Sequence, residues 1–322
     1  MTKIERIILN LSFVRFLTEK SKHIVLPGFD KVPLYDVIVF FMEQVRKTGL
    51  TERASAVSYN FIMAIPPTCL FLFTIIPHLP FIPKEAISVQ LHSLITDMIP
   101  APTYNAGIID FIDSFLNQTQ VGLISFGFIL LIFFASNGMM GLMRSFNKNY
   151  FGFEKRSDLQ SRWTAIRLTI IILGLLVATL ILLSLQGVVL RWIGVSPEWI
   201  AIISPVRWLF IIALVLYAIG FIYKYAPAIT KRWKLISPGS VLATSMSIIA
   251  TLGFSIFVSN FGKYNALYGS IGTIIVLMIL IYINSLVLII GYELNVSIHS
   301  LKALAEERAR HEQHAGNLSV PN

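Results

Sequence analysis

An all-α, polytopic membrane protein is the fold class this sequence predicts, and three observations carry that reading. Of its 322 residues, 55% are hydrophobic and only 13% charged, and the mean hydropathy is +0.73. Soluble domains carry roughly 25% charged residues and about 45–50% apolar ones. The apolar residues also fall into blocks of about 20, the length that crosses a hydrocarbon core. Finally, these blocks are continuous and lack the alternation of a spanning β-strand. So little charge at this hydropathy excludes disorder and argues against a soluble globular chain.

Residues 1–33 read as an N-terminal segment outside the membrane. The early apolar run, Ile7 to Val14, contains Asn10 and Ser12 and is followed by Arg15, so no cleavable signal is expected. Membrane entry then falls to the first true span. Residues 34–298 form the membrane domain. It opens with Leu34, Val37, Ile38, Phe41 and Val45 at helical spacing, with Asp36, Glu43, Arg46 and Lys47 among the intervening positions. That pattern predicts an amphipathic helix in the cytoplasmic interface.

Six spans follow, at about 54–76, 121–142, 164–190, 203–223, 240–260 and 271–293. Val121 to Leu142 and Leu168 to Leu190 hold no ionisable residue. The first span is interrupted by Pro66 and Pro67, whose missing N–H groups leave the carbonyls of Ile62 and Met63 without helical partners. The fifth is rich in serine, threonine and glycine. Between the first and second, residues 77–120 carry two short amphipathic patterns separated by Pro100 and Pro102, with Glu85, Asp97, Asp110 and Asp113 against Lys84. Residues 299–322 continue the last span as a polar helical tail that frays near Gly316.

Of the 26 lysines and arginines, 21 fall in residues 1–53, the loops 143–163 and 224–239, and the tail. Only Lys84, Arg191 and Lys263 fall on the other side, while Arg167 and Arg207 lie near helix ends. The positive-inside rule therefore puts both termini in the cytoplasm, and an even span count agrees. The net charge of +9 reflects this sidedness rather than nucleic-acid binding.

Enzyme signatures are missing. The six histidines lie outside the spans, and His311 and His314, three apart in the polar tail, have no cysteine or carboxylate arranged around them. The lone Cys69 excludes an internal disulfide and a multi-cysteine metal site. There is no nucleophile elbow, Walker loop or His-Glu-x-x-His. We therefore expect no enzyme activity, cofactor or metal. The basic loop Arg144–Arg162, with Phe146, Tyr150, Phe151 and Phe153, suits anionic lipid headgroups at a membrane surface better than RNA.

Polar residues inside spans are costly and mark candidate function. Ser55, Ser58, Tyr59 and Asn60 cluster within two turns ahead of Pro66 and Pro67, and Asn137 and Asn284 lie in the second and sixth spans. These are candidates for a substrate path. Their alternative role is helix packing, the asparagines bonding neighbouring helices. Arg53, Arg144 and Glu293 fall at one membrane depth, where a lone carboxylate is expensive, so Glu293 is expected within ion-pair distance of an arginine. Glu154 and Arg156 extend this network or face lipid phosphates.

The segment Arg53-Ala54-Ser55-Ala56-Val57-Ser58-Tyr59 with Pro67, then Asn147, Tyr150, Glu154 and Arg156, resembles motifs of the YihY/BrkB family of bacterial membrane proteins, once labelled ribonuclease BN-like. Tyr225-Ala226-Pro227, Ser237-Pro238-Gly239, Tyr268-Gly269-Ser270-Ile271-Gly272 and Gly291-Tyr292-Glu293-Leu294-Asn295 continue the resemblance over about residues 34–298. Ala64, Ser157 and Leu280 depart from the usual serine, proline and tryptophan. The resemblance implies a bacterial inner-membrane location, structural roles for Gly239, Tyr268, Gly269, Gly272 and Gly291, and transport or export of a lipid or other amphiphile for the envelope. Membrane scaffolding is the alternative, and a membrane-bound ribonuclease is the third reading.

Overall fold

The structure, a computed structural model, describes residues 19–30, 32–75, 84–99, 101–117, 122–146, 156–192, 206–229, 232–260 and 270–318. These residues fold into helices: α1 (Leu34–Lys47), α2 (Leu50–Ile75), α3 (Lys84–Met98), α4 (Pro102–Asn117), α5 (Gly122–Phe146), α6 (Asp158–Trp192), α7 (Val206–Tyr225), α8 (Pro238–Asn260) and α9 (Ser270–Leu318). Five of them, α5 to α9, are long and apolar enough to cross a membrane. The protein is thus an all-helical, multi-pass membrane protein. Helix is the form such segments must take, because it satisfies every backbone group within the segment where no water is present.

The first expected span is longer than its apolar run and is not broken. α2 continues as α-helix through Pro66 and Pro67. Pro67 is buried and Pro66 exposed. Prolines are tolerated in membrane helices, where packing against neighbours offsets the lost bonds. The buried face of α2 is set by Leu50, Arg53, Ala54, Val57, Ser58 and Ala64, which recur at the three- and four-residue spacing of one helix face. This face packs along α5.

α9 is 49 residues long, about 73 Å at 1.5 Å per residue. It therefore runs well beyond any bilayer. No break falls at residue 298, and the helix continues to Leu318. Its extra length docks α1. Val37 is fully buried with Phe29 and Ile298, and Leu34, Leu294 and Leu301 complete the cluster. The amphipathic helix predicted for 34–47 is thus anchored to α9 by one side, while Ile38, Val39 and Met42 remain exposed on another.

The main core gathers at one end of the bundle. It contains Ala54 and Val57 of α2, Leu142, Met143 and Phe146 of α5, Ala165 and Leu168 of α6, Tyr223 of α7, Ala243 of α8 and Ile289 and Tyr292 of α9. We call this the basic end. At the opposite, acidic end, α3 and α4 form a helical hairpin bearing Asp97, Asp110 and Asp113. The hairpin seats Ile99, Ala101 and Tyr104 against Phe254 and Val258 of α8 and Val276 and Leu280 of α9. Its two helices are clasped by Asp113, whose Oδ1 lies 2.9 Å from His92 Nε2 and accepts a 3.2 Å bond from Ser88 Oγ.

Candidate functional site

The last carbonyls of a helix have no partners within it, and they carry the negative end of its dipole. At the basic end those of α5 are met by side chains from distant helices. Arg53, in the first turn of α2, donates from Nη2 to the carbonyl of Ser145 at 2.5 Å. Its Nη1 donates to Oε1 of Glu293. The pair is secluded, with 8% of the arginine side chain and none of the glutamate exposed. Next to it, the Tyr292 hydroxyl donates to the carbonyl of Phe146 at 2.9 Å. The two rings stack with centroids 3.8 Å apart. Arg53, Tyr292 and Glu293 therefore join α2, α5 and α9 at one point.

Small residues bring α8 and α9 close enough to complete this end. A Cβ on Gly239 would stand 2.1 Å from the carbonyl oxygen of Gly291, and one on Gly291 would meet the Gly239 oxygen at 2.6 Å and the Tyr223 hydroxyl at 2.7 Å. Only hydrogen fits at either position, and close backbone approach is how membrane helices gain packing energy. Asn295 Oδ1 accepts from the Gly239 N–H at 2.8 Å, and its Nδ2 donates to Ser237 Oγ at 2.8 Å. Ser237 and Ser240 cap the start of α8 reciprocally, each side chain accepting from the other's backbone N–H. Tyr223 donates to the carbonyl of Leu288 at 2.5 Å. The Gly-Tyr-Glu-Leu-Asn and Ser-Pro-Gly motifs are thus two halves of one junction. Gly272, at the other end of α9, is buried.

A second arginine closes α7 in the same manner. Arg156 donates to the carbonyls of Ala226 and Pro227 at 3.1 Å each, and to Tyr225 at 3.3 Å. The sequence reading set Arg156 beside Glu154 in the charge network or against lipid phosphates; these three bonds put its guanidinium on the loop after α7. Arg144 is exposed and stands apart from the Arg53–Glu293 pair. Glu154, Tyr268 and Gly269 lie outside the described residues.

The predicted polar face of α2 divides in two. Ser55 and Tyr59 are exposed, Tyr59 to 63%, in line with Met63 and Pro66. Ser58 is buried and donates to the carbonyl of Ser55 at 2.9 Å. Asn60 is half-buried, bonded to the Ala56 carbonyl of its own helix at 2.7 Å. It lies over Gly141 of α5, where a Cβ would meet its Nδ2 at 2.6 Å. Asn284 likewise bonds within its own helix, to Leu280 at 3.0 Å, rather than to a neighbour.

Asn137 does reach another helix, through a residue the sequence reading left among the loop cations. Arg162, in the second turn of α6, donates from Nη1 to Asn137 Oδ1 at 2.5 Å, with its guanidinium 5.4 Å from the Phe133 ring. Its position within reach of an apolar run that starts at Trp163 was the available signal. Tyr223, Ser237 and Asn295 were also missed as polar links, the first having been read only as the end of a span and the other two only as parts of motifs. Among the described residues, no three of His, Cys, Asp and Glu come together.

Alternating apolar helices, glycine-fitted crossings and arginine-sealed helix ends define a polytopic helical membrane protein with a closed basic end. Within that class the chain belongs to the family described as virulence factor BrkB, whose model matches residues 41–317. It is similar to the putative ribonuclease-like protein YfkH of Bacillus subtilis, 32% identical over 264 residues that cover 81% of this chain and 94% of that one. It is also similar to a UPF0761 membrane protein of Tolumonas auensis, 26% identical over 80% of this chain and 84% of the other. A third relative, UPF0761 membrane protein NTHI0384 of Haemophilus influenzae, is 21% identical over 84% and 97%. No solved structure matches.

Proposed function

We propose that this protein moves, or helps to move, a lipid or another amphiphile across a bacterial cytoplasmic membrane. In this reading α2 is a sixth crossing, and the basic end and both termini face the cytoplasm. The observation that carries the reading is the exposed stripe Ser55, Tyr59, Met63 and Pro66 on α2. Polar groups facing hydrocarbon are costly, so those a helix keeps there are candidates for function. A stripe on an outer face, rather than in an enclosed channel, suits a cargo whose polar head follows the protein while its tails stay in the bilayer. Hydroxyls of Ser55 and Tyr59 stand in for some of the water the head leaves behind. Cations at the basic end raise the local concentration of anionic headgroups, at roughly 1 kcal/mol per lysine or arginine near the surface.

The test is transbilayer movement of fluorescently tagged phospholipid in vesicles containing the purified protein. Wild type is expected to accelerate exchange over empty vesicles, and Ser55→Val with Tyr59→Phe to abolish most of that gain at unchanged thermal stability. Wild-type vesicles that exchange no faster than empty ones would favour scaffolding. The name of the Bacillus relative supplies the nuclease reading. Metal-dependent RNA cleavage by the same preparation would favour it over transport.

A further inference from the structure

Beside the sealed junction at the basic end lies a cavity of about 330 Å³, within the range of small-ligand sites. One wall is the stretch Arg232-Trp233-Lys234 ahead of α8, and the facing wall is the side of α9 that carries Asn295, His299, Lys302 and Glu306. Those four recur at three- and four-residue spacing, so one helix face presents them together. Gly28 and Asp30 line the same space. Gly28 has φ +88° and its backbone abuts Pro238, where a Cβ would lie 2.9 Å from Cγ.

The charges in this cavity are unequally satisfied. Lys302 is held by Asp30, Nζ to Oδ2 at 2.8 Å. Arg232 lies 5.2 Å over the Tyr225 ring. Neither Arg232 nor Lys234 has an ion-pair partner among the described residues, and both are exposed. Two cations without carboxylate partners therefore border a cavity whose inner wall includes the Trp233 indole, itself packed against Tyr292 at 5.6 Å. The capped start of α8, Ser237-Pro238, lines the same space and adds the positive end of its dipole.

We propose that this cavity binds an organic phosphate, the phosphate between Arg232 and Lys234 and the organic portion against Trp233. Arginine's planar fork and lysine's point charge are the two side-chain forms that bind phosphate oxygens. An aromatic wall beside them favours an ester over free inorganic phosphate. The same chemistry serves a phospholipid headgroup and a soluble phosphate ester, and the site stands whether or not the stripe on α2 conducts an amphiphile.

The test titrates the detergent-purified full chain with short-chain phosphatidylglycerol, short-chain phosphatidylcholine and glycerol 3-phosphate, read by tryptophan fluorescence. Saturable binding of phosphatidylglycerol or glycerol 3-phosphate is expected, weakened about tenfold or more by the pair Arg232→Gln and Lys234→Gln. Phosphatidylglycerol binding alone assigns the site to a lipid headgroup. Binding of glycerol 3-phosphate, with the two competing, assigns it to phosphate esters generally. Asp30→Asn removes a negative charge from the cavity's border and is expected to tighten binding, a gain that a purely structural role for these residues would not produce. No saturable binding of any of the three, or equal binding by the double variant, would overturn the proposal.

Discussion

Arg53 and Glu293 stand 240 residues apart in the chain and form a buried ion pair that ties the start of α2 to the middle of α9. The same guanidinium holds the end of α5 through Ser145. One side chain thus fixes the relative positions of three helices, with strong directional bonds where apolar contacts alone would permit sliding.

Removing the cation leaves a carboxylate buried with its main partner gone. Arg53→Leu is expected to lower stability by about 3–5 kcal/mol. Adding Glu293→Leu is expected to recover part of that loss, because the stranded charge is gone. Thermal unfolding of the detergent-purified variants measures both, and a double variant less stable than Arg53→Leu alone would contradict the pairing.

The crossing of α8 and α9 has no room for a methyl group. Gly291→Ala is expected to cost about 1–3 kcal/mol or more through overpacking. Gly174→Ala, where nothing lies within 4 Å of the added carbon, serves as the control and is expected to stay within about 0.5 kcal/mol. Equal melting temperatures for the two variants would refute the close approach.

Arg156 caps α7 through the carbonyls of Tyr225, Ala226 and Pro227. Arg156→Ala is expected to cost about 1.5–3 kcal/mol, the range for hydrogen bonds to a charged group. Lysine has one point charge where the fork made several bonds, so Arg156→Lys should restore only part of it. Hydrogen exchange at residues 220–226 reads the effect locally, and unchanged protection there would count against the cap.

The proposed orientation is tested by single cysteines on a Cys69→Ala background. Asp113→Cys is expected to react with a membrane-impermeant maleimide in intact cells, and Arg232→Cys only after the membrane is opened. The reverse pattern would invert the topology.

Much of the site was legible before folding. Arg53 and Glu293 fall at one depth in the sequence, and the cost of a lone carboxylate there made a cationic partner necessary. The choice among arginines was not legible. Arg144 occupies a similar depth, yet it projects from α5 beside the buried Met143 and Ser145 without joining them. The proline pair misled in the other direction. A local rule against proline in helices predicts an interruption, whereas packing along α5 holds α2 continuous. Arg162 was counted with the loop cations because its partner, Asn137, lies on another helix.

By itself the sequence determined that the chain is helical, multi-pass and charged asymmetrically between its two ends. Those properties follow from local quantities: the length of apolar runs against the thickness of hydrocarbon, and the need of each segment to satisfy its own backbone. Only the tertiary structure decided which helices touch, and with that the partners of Arg53, Arg156 and Asn137, the fit of Gly239 to Gly291 and the cavity flanked by Arg232 and Lys234. In lipid no apolar face prefers one helix to another by hydrophobicity. Helix order is therefore selected by a few close contacts and polar bonds between residues far apart in sequence, which exist only once the helices have assembled.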